Sequence, residues 1–332
     1  MAYRKLYVGT ALTIFLLLAG VLAAPDGKTA VAAEREYPSR EIELVVPFPP
    51  GGPADTSARI IAPKMASILG VPVIIVNKPG GGGAIGSAYV AKAKPDGYTV
   101  NAPPNPPLTI IPILQKDLPY QVTDFVPVGS YAADASVIAA RPGAPFKTLE
   151  ELVDHARKNP GKLNFGSAGL GTVSFFTMEL LKLSYGLDIA HVPFTGAGPL
   201  RSAILGGHVH LASTGFTAFG PLIRSGDLLP LASTAARRHP AFPQIPTMAE
   251  KGFPEAALNI WMGLYVPAKT PLAAVEVLAK ALAQAARDAS VVGAIEKAGM
   301  QMDYRDAEGT RRLLEDEHKA VRAAAKKLGM TK

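Results

Sequence analysis

The sequence predicts an α/β protein built from two doubly wound lobes, and three observations support this fold class. Apolar runs typical of strands alternate with amphipathic helices in two series, which indicates parallel sheets. Several of these strands end on Gly- or Pro-rich turns that lead straight into a helix. Between the two series lies a long, mostly apolar extended run, Phe125 to Ala140, which we interpret as the crossing between lobes.

Residues 1–33 predict an export signal that is separate from the fold. Arg4 and Lys5 precede an apolar run at residues 8–24, and the sequence AVA at residues 30–32 offers a cleavage site. The alternative is a retained membrane anchor, because the run reaches the lower length limit for spanning a bilayer. We favour cleavage, because small residues rather than a basic stop-transfer cluster follow the run. The chain has no cysteine, so a lipid anchor on cysteine is excluded.

The composition is that of a globular protein, with 332 residues, 48% of them hydrophobic and 18% charged. This length suffices for two domains. The formal charge is +7, but the basic residues are scattered and form no stripe interleaved with aromatic side chains. We therefore expect no nucleic-acid partner.

The first lobe is predicted as strand, helix, strand, helix and strand. Its strands are Ile42–Val46, Val71–Val76 and Tyr98–Asn101. The first helix carries one apolar stripe from Ala54 to Ile68, at steps of three and four residues, and a short helix spans Gly86–Lys94. The Pro-rich stretch from Asn101 to Tyr120 is predicted to be an irregular excursion on the surface.

The second lobe repeats this alternation. A capping box at Thr148 and Glu151 opens its first helix, and the predicted strands are Leu163–Phe165, Ile189–Pro193, Val209–Ser213 and Leu229–Thr234. The strand Asn259–Val266 and the helices after it are too short for a third domain, so we expect them to pack on the first lobe. The predicted boundaries are residues 1–33 for the signal, 34–125 with 240–332 for the discontinuous first lobe, and 126–239 for the second lobe.

Three strand-to-helix turns, distributed over both lobes, predict a ligand cleft. They lie at Gly51-Gly52, at residues 166–169 and at residues 195–198. Each would present free backbone N–H groups and the positive end of a helix dipole, which together favour an anion. Taken alone, the first turn is explained by helix punctuation, with Pro53 at the first helical position and Asp55 as a capping acid.

The recurrence of such turns in both lobes favours a carboxylate site over punctuation alone. Ligands bind at the carboxyl ends of strands in open α/β sheets, and Ser167, Thr172 and Thr195 add hydroxyl groups there. Neutral donors suit a receptor that must release its ligand, because buried Arg–carboxylate pairs are strong. Asp55 is not assigned as a general base, since no residue that would raise its pKa is evident.

A glycine pattern offers an alternative from a different functional class. Gly81, Gly83 and Gly86 satisfy the dinucleotide fingerprint G-x-G-x-x-G after a strand and before a helix. That fingerprint needs an acid at the end of the next strand, where this chain has Asn101, and the nearby Asp96 precedes that strand. A tight turn with close helix packing is the favoured interpretation, and an NAD-type oxidoreductase is the alternative.

Other catalytic and metal-binding patterns give no enzyme prediction. The sequence contains no G-x-S-x-G, G-x-x-x-x-G-K or H-E-x-x-H motif. His208 and His210 share one face of a predicted strand and could bind a metal, but no third ligand is near them in the sequence. We therefore expect surface or hydrogen-bonded histidines, no metal, no cofactor and no enzymatic activity.

Motifs from Tyr37 to the C-terminus resemble those of one family. They include VVPFPPGGPADTSAR, VIIVNKPGGGGAIG, LNFGSAG, HVPFTGAGPL and WMGLYVPAKTP, in this order. The chain resembles the periplasmic substrate-binding receptors of tripartite tricarboxylate transporters, often called Bug-type receptors. The resemblance implies a type II periplasmic-binding-protein fold and a periplasmic location. A small carboxylate would be held between the lobes and passed to membrane permease subunits, and we expect a monomer.

The resemblance also implies which residues bind the ligand. One ligand carboxylate would be held by backbone amides and hydroxyls of the second lobe, and the other end would meet the first lobe partly through water. The implied residues are Pro50, Gly51, Gly52 and Asp55 in the first lobe, and Ser167, Ala168, Gly169, Thr172, Thr195, Gly196, Ala197 and Thr214 in the second.

Two departures from the family pattern bear on the ligand. Relatives usually carry Phe-Asp where this chain has Ser213-Thr214, and a hydroxyl-rich loop where it has residues 101–105. The missing acid argues against an amino-acid ligand and favours a dicarboxylate or an aromatic acid. A receptor of the same fold that senses its ligand for a signalling partner is the second interpretation.

Overall fold

A computed structural model describes residues 37–256 and 258–331. The predicted signal segment therefore lies outside the described residues. Within these two ranges, no helix is both long enough and apolar enough to cross a membrane.

The described chain alternates strands and helices, as the sequence predicted. The strands are β1 Ile42–Val46, β2 Val73–Asn77, β3 Thr99–Asn101, β4 Phe125–Ala140, β5 Leu163–Ser167, β6 Ile189–Pro193, β7 Leu211–Gly215, β8 Leu229–Ser233, β9 Asn259–Pro267 and β10 Gln301–Arg305. The α-helices are α1 Pro53–Leu69, α2 Ala84–Ala91, α3 Pro106–Thr109, α4 Ile111–Leu114, α5 Leu149–Lys158, α6 Val173–Tyr185, α7 Ala197–Leu205, α8 Phe216–Arg224, α9 Leu272–Arg287, α10 Ala289–Lys297 and α11 Ala307–Lys327.

The strands form a mixed sheet with two parallel groups in the same internal order. Along the sheet the order is β2-β1-β3-β9-β4-β7-β5-β6, and β8 and β10 also pair with β4. The predicted parallel pairing is confirmed for β1 with β2 and β3, and for β5 with β6 and β7. The strands β4 and β9 run antiparallel to their partners and join the two groups.

The long strand β4 connects the two parallel groups, so the extended run that the sequence predicted is one strand. Its first part, residues 125–135, pairs with β9, and its last part, residues 136–140, pairs with β7 and β8. Two register shifts interrupt the β4–β9 pairing, between Pro127 and Gly129 and between Ser130 and Ala132. The lobe boundaries given above stay a prediction.

The first part of the Pro-rich stretch after β3 is not on the surface as the sequence predicted, whereas residues 115–117 and 119 are exposed. Residues 101–111 are all buried and include the short helix α3, which begins with Pro106, and the first residue of α4, whose second residue is Pro112. Proline has no N–H group that needs a buried acceptor, so this segment can be enclosed at low cost. Its Asn105 N–H donates to the Trp261 carbonyl on β9 at 2.9 Å.

The C-terminal elements complete the structure around α1. Helices α9 and α10 pack against α1, and Lys64 of α1 forms a 2.6 Å ion pair with Asp288, the N-cap of α10. Helix α11 packs against β4 and α3. Neither α8 nor β10 is predicted from the sequence patterns.

Candidate ligand-binding site

A cavity lies where three helices begin. It measures about 490 Å³, including the space where it opens to solvent. Eight lining residues belong to helix starts: Gly52, Pro53 and Ala54 at α1, Thr172, Val173 and Ser174 at α6, and Gly196 and Ala197 at α7. The other lining residues are Phe48, Pro49, Pro104, Pro106, Ala168, Thr214 and Ile260.

The start of α1 follows directly from the end of β1. Asp55, in the first turn, is 3% exposed, and its carboxylate accepts hydrogen bonds from Gly51 N–H at 3.0 Å, from Arg59 and from Asn77. Burial works against the charge of Asp55, but the hydrogen bonds from Arg59, Gly51 and Asn77 outweigh it and keep its pKa below the usual value. The carboxylate of Asp55 therefore stays ionised, and its charge is balanced by Arg59 and the other hydrogen-bond donors around it.

Thr172 caps the start of α6. Its Oγ1 accepts from the N–H of Phe175 at 3.3 Å and donates to the Gly169 carbonyl at 2.8 Å. The first N–H groups of a helix have no intrahelical acceptor, so those of Val173 and Ser174 remain at the cavity. The Ser174 hydroxyl lies 3.2 Å from the Ser136 hydroxyl on β4.

Glycines let the starts of α1 and α7 approach each other. Gly196 has φ +149°, a conformation that side chains rarely adopt, and a Cβ added to it would lie 2.8 Å from Pro49 Cγ. A Cβ added to Gly52 would lie 3.8 Å from the Cβ of Ala197. The starts of α1 and α7 therefore lie side by side.

The starts of α1, α6 and α7 carry the positive ends of three helix dipoles, and none of the described residues that line the cavity is charged. At a fourth helix start, that of α8, a carboxylate of the protein itself accepts the free N–H groups. Asp134 of β4 accepts from the N–H groups of Phe216 at 3.0 Å and Thr217 at 3.2 Å. Burial raises the pKa of Asp134 to about 7, although these hydrogen bonds favour its charged form.

Comparison with known proteins identifies the family. Residues 57–330 match the family described as "Tripartite tricarboxylate transporter family receptor". The chain belongs to this receptor family. Protein BugT of Bordetella pertussis is 33% identical over 308 residues, which cover 92% of this chain and 94% of BugT. Members of the family are solute-binding receptors, and the resemblance stated from the motifs is confirmed.

Two solved structures similar to this receptor were determined with carboxylates. Rpa4515 of R. palustris, solved with adipate, is 30% identical with a TM-score of 0.86, over 89% of this chain and 99% of Rpa4515. MatC of Rhodopseudomonas palustris, with bound malate, is 30% identical with a TM-score of 0.82, over 87% of this chain and 99% of MatC. The fold is the type II periplasmic-binding-protein fold that the sequence predicted.

The cavity of this receptor contains half of the predicted site residues. Those that line it are Gly52, Ala168, Thr172, Gly196, Ala197 and Thr214. Pro50, Gly51 and Thr195 are exposed on the adjoining turns, and Asp55, Ser167 and Gly169 are buried behind the lining.

Ser167 lies beneath the loop that precedes α6. Its hydroxyl donates to the Gly169 carbonyl at 3.0 Å and lies 2.8 Å from His191 Nε2. Burial and the nearby charge of Lys182 lower the pKa of His191 to about 4, so this histidine is neutral at pH 7. In this arrangement Ser167 supports the loop that carries Ala168.

Several lining residues were not predicted from the sequence. They are Phe48, Pro49, Pro53, Ala54, Pro104, Pro106, Val173, Ser174 and Ile260. Six of these nine residues adjoin a predicted turn or cap, so their position in the sequence could have identified them. Pro104 lies in residues 101–105, whose departure from the family pattern bears on the ligand. Pro106 and Ile260 carry no signal in the sequence, because β3 and β9 meet only in the folded sheet.

The glycine pattern at Gly81, Gly83 and Gly86 and the histidine pair His208 and His210 have structural explanations. A Cβ added to Gly86 would lie 2.7 Å from the Lys78 carbonyl oxygen and from Pro47 Cβ, so the glycine pattern serves close packing of helix and strand. The Nδ1 of His210 lies 2.6 Å from Asn164 Oδ1. Across the described ranges, no group of three or more His, Cys, Asp or Glu side chains could hold a metal.

Proposed function

We propose that this protein is a periplasmic receptor that captures a small carboxylate in the cavity and delivers it to permease subunits of a tripartite tricarboxylate-type transporter. One observation carries the proposal: the starts of α1, α6 and α7 converge on a cavity whose described lining bears no charge. Such an arrangement offers N–H groups and positive dipole ends to an anion.

The absence of a cation from the described lining suits a protein that must release its ligand. Each helix start stabilises an anion by about 0.3–1 kcal/mol, so three of them give useful but modest binding. A buried Arg–carboxylate pair would hold the ligand much more strongly. The adipate complex of Rpa4515 and the malate complex of MatC support a carboxylate as the ligand class.

Location and mechanism complete this proposal. The apolar segment at residues 8–24 would direct export and be removed, leaving a non-enzymatic monomer in the periplasm. The predicted lobes would close on the ligand by bending where β4 and β9 join the two parallel groups. A dicarboxylate and an aromatic acid both belong to the proposed class, and sensing for a signalling partner is the second candidate role.

A thermal-shift screen of the exported chain, residues 34–332, tests the ligand class. The panel contains mono-, di- and tricarboxylates, aromatic acids, amino acids and NAD. We expect at least one carboxylate to raise the melting temperature in a concentration-dependent way, because ligands that bind only the native state stabilise it. Stabilisation by NAD alone would overturn the proposal and revive the dinucleotide interpretation of Gly81, Gly83 and Gly86.

A further inference from the structure

The cavity wall away from the helix starts is apolar. Among the described lining residues, only Thr172, Ser174 and Thr214 carry side-chain hydroxyls. The Thr172 hydroxyl donates to the Gly169 carbonyl, and the Ser174 hydroxyl pairs with that of Ser136. Two of these three polar groups are therefore already engaged within the protein.

Prolines remove backbone donors from this wall and from the turn between β1 and α1. Pro49, Pro53, Pro104 and Pro106 all line the cavity, and proline has no N–H group. Between the last two, Asn105 is 1% exposed and directs its polar groups away from the cavity. Its N–H donates to the Trp261 carbonyl at 2.9 Å, and its Nδ2 donates to the Asn259 carbonyl at 3.1 Å and to Glu317.

The part of the wall that contains Pro104 and Pro106 is also fixed in position. Glu317 of α11 accepts from Asn105 Nδ2, from Trp261 Nε1 and, at 2.9 Å, from Thr109 Oγ1. These bonds tie α3 and β9 to the C-terminal helix, and Ile260 of β9 lines the cavity next to Trp261. The wall therefore cannot easily turn a polar group toward a ligand.

From this lining we infer that the preferred ligand is a monocarboxylic acid with an apolar body, either aliphatic or aromatic. The inference rests on the proposed function and narrows its ligand class. One carboxylate of the ligand would bind at the clustered helix starts, where α1 and α7 lie side by side. A second carboxylate enclosed against Pro104, Pro106 and Ile260 would lose its hydration without gaining hydrogen-bond donors, which is costly.

Hexanoate and adipate provide a matched test, because they have the same carbon chain and differ by one carboxylate. We expect calorimetric titration of the exported chain to give hexanoate a Kd at least about tenfold lower than that of adipate. Benzoate and cyclohexanecarboxylate, titrated in parallel, distinguish an aromatic from an aliphatic body, and binding of either supports the inference.

The possible failures of this test are distinguishable. Adipate binding as tightly as hexanoate, or more tightly, would overturn the inference and leave the carboxylate receptor intact. If no acid of either class binds while the chain is folded, the proposed function fails as well.

A pair of matched variants tests whether the apolar wall contacts the ligand. Ile260→Thr places a hydroxyl on a lining residue that is 8% exposed, whereas Ile223→Thr makes the same change in α8, at a residue that is 9% exposed and does not line the cavity. We expect Ile260→Thr to weaken hexanoate binding about tenfold and to narrow the hexanoate–adipate difference. Ile223→Thr should leave both affinities unchanged. Unchanged hexanoate affinity in a folded Ile260→Thr variant would contradict the inference.

Discussion

Gly196 allows a sharp test of how closely the two sides of the cavity must approach. Gly196→Ala would place a methyl group 2.8 Å from Pro49 Cγ, at a backbone position with φ +149°. Backbone strain of this kind costs about 1–3 kcal/mol. The strain is present whether or not ligand is bound, so the free energy of unfolding of the ligand-free variant should fall by that amount.

The clash with Pro49, in contrast, should lower the affinity for the ligand. If the bound form requires this approach, the clash weakens binding, and a loss of about 1.4 kcal/mol corresponds to tenfold in Kd. Gly198→Ala is the matched control, because an added Cβ there meets no atom within 4 Å and Gly198 lies inside α7. Alanine in a helix is slightly stabilising, so the control should bind normally.

A double variant separates contact from strain. Calorimetric titration with the best carboxylate should show that Pro49→Ala restores part of the affinity lost in Gly196→Ala, because residues in contact give non-additive effects. Gly196→Ala binding as tightly as the wild type would refute the idea that this approach belongs to the bound form.

Three further predictions concern the buried acids and the predicted hinge. Burial raises the pKa of Asp134 to about 7, so the folded state holds this proton more tightly than the unfolded state. Unfolding free energy, measured by chemical denaturation, should therefore decrease as pH rises from about 4 to about 7, by up to about 4 kcal/mol, and Asp134→Asn should flatten this dependence. Glu317→Gln leaves one acceptor oxygen for three donors, so it should cost about 1–3 kcal/mol and shift the fluorescence of Trp261, whereas the exposed Glu308→Gln on the same helix should do neither. Small-angle scattering should show a more compact protein with saturating ligand, and identical curves would contradict hinge closure.

Local patterns predicted most elements of this fold because their causes are local. The apolar run of β1, the apolar stripe of α1 and the Thr172 cap of α6 are each determined by residues within a few positions. β6 has the predicted bounds, Ile189–Pro193. The predicted crossing is one continuous strand, β4.

Long-range contacts explain what the sequence did not reveal. Residues 101–111 are buried because β9 pairs beside β3 and Glu317 reaches them from α11, more than 200 positions away. Asp134 sits in a mostly apolar strand, and its role became visible only when α8 was placed against it. The same kind of contact brings Pro104, Pro106 and Ile260 into the cavity, so its apolar character could not be predicted from the turns alone.

Ala197 offers the most direct test that the clustered helix starts hold the ligand carboxylate. It is the first residue of α7, is 6% exposed and lines the cavity. Ala197→Asp would place a carboxylate where we expect that of the ligand, and Ala197→Asn has the same size without the charge.

Calorimetric titration of both variants with the best carboxylate is the decisive measurement. Like charges brought together cost several kcal/mol, so we expect Ala197→Asp to bind at least about 100-fold more weakly than Ala197→Asn. Equal affinities in two folded variants would contradict the proposed position of the ligand, because its carboxylate would then lie elsewhere.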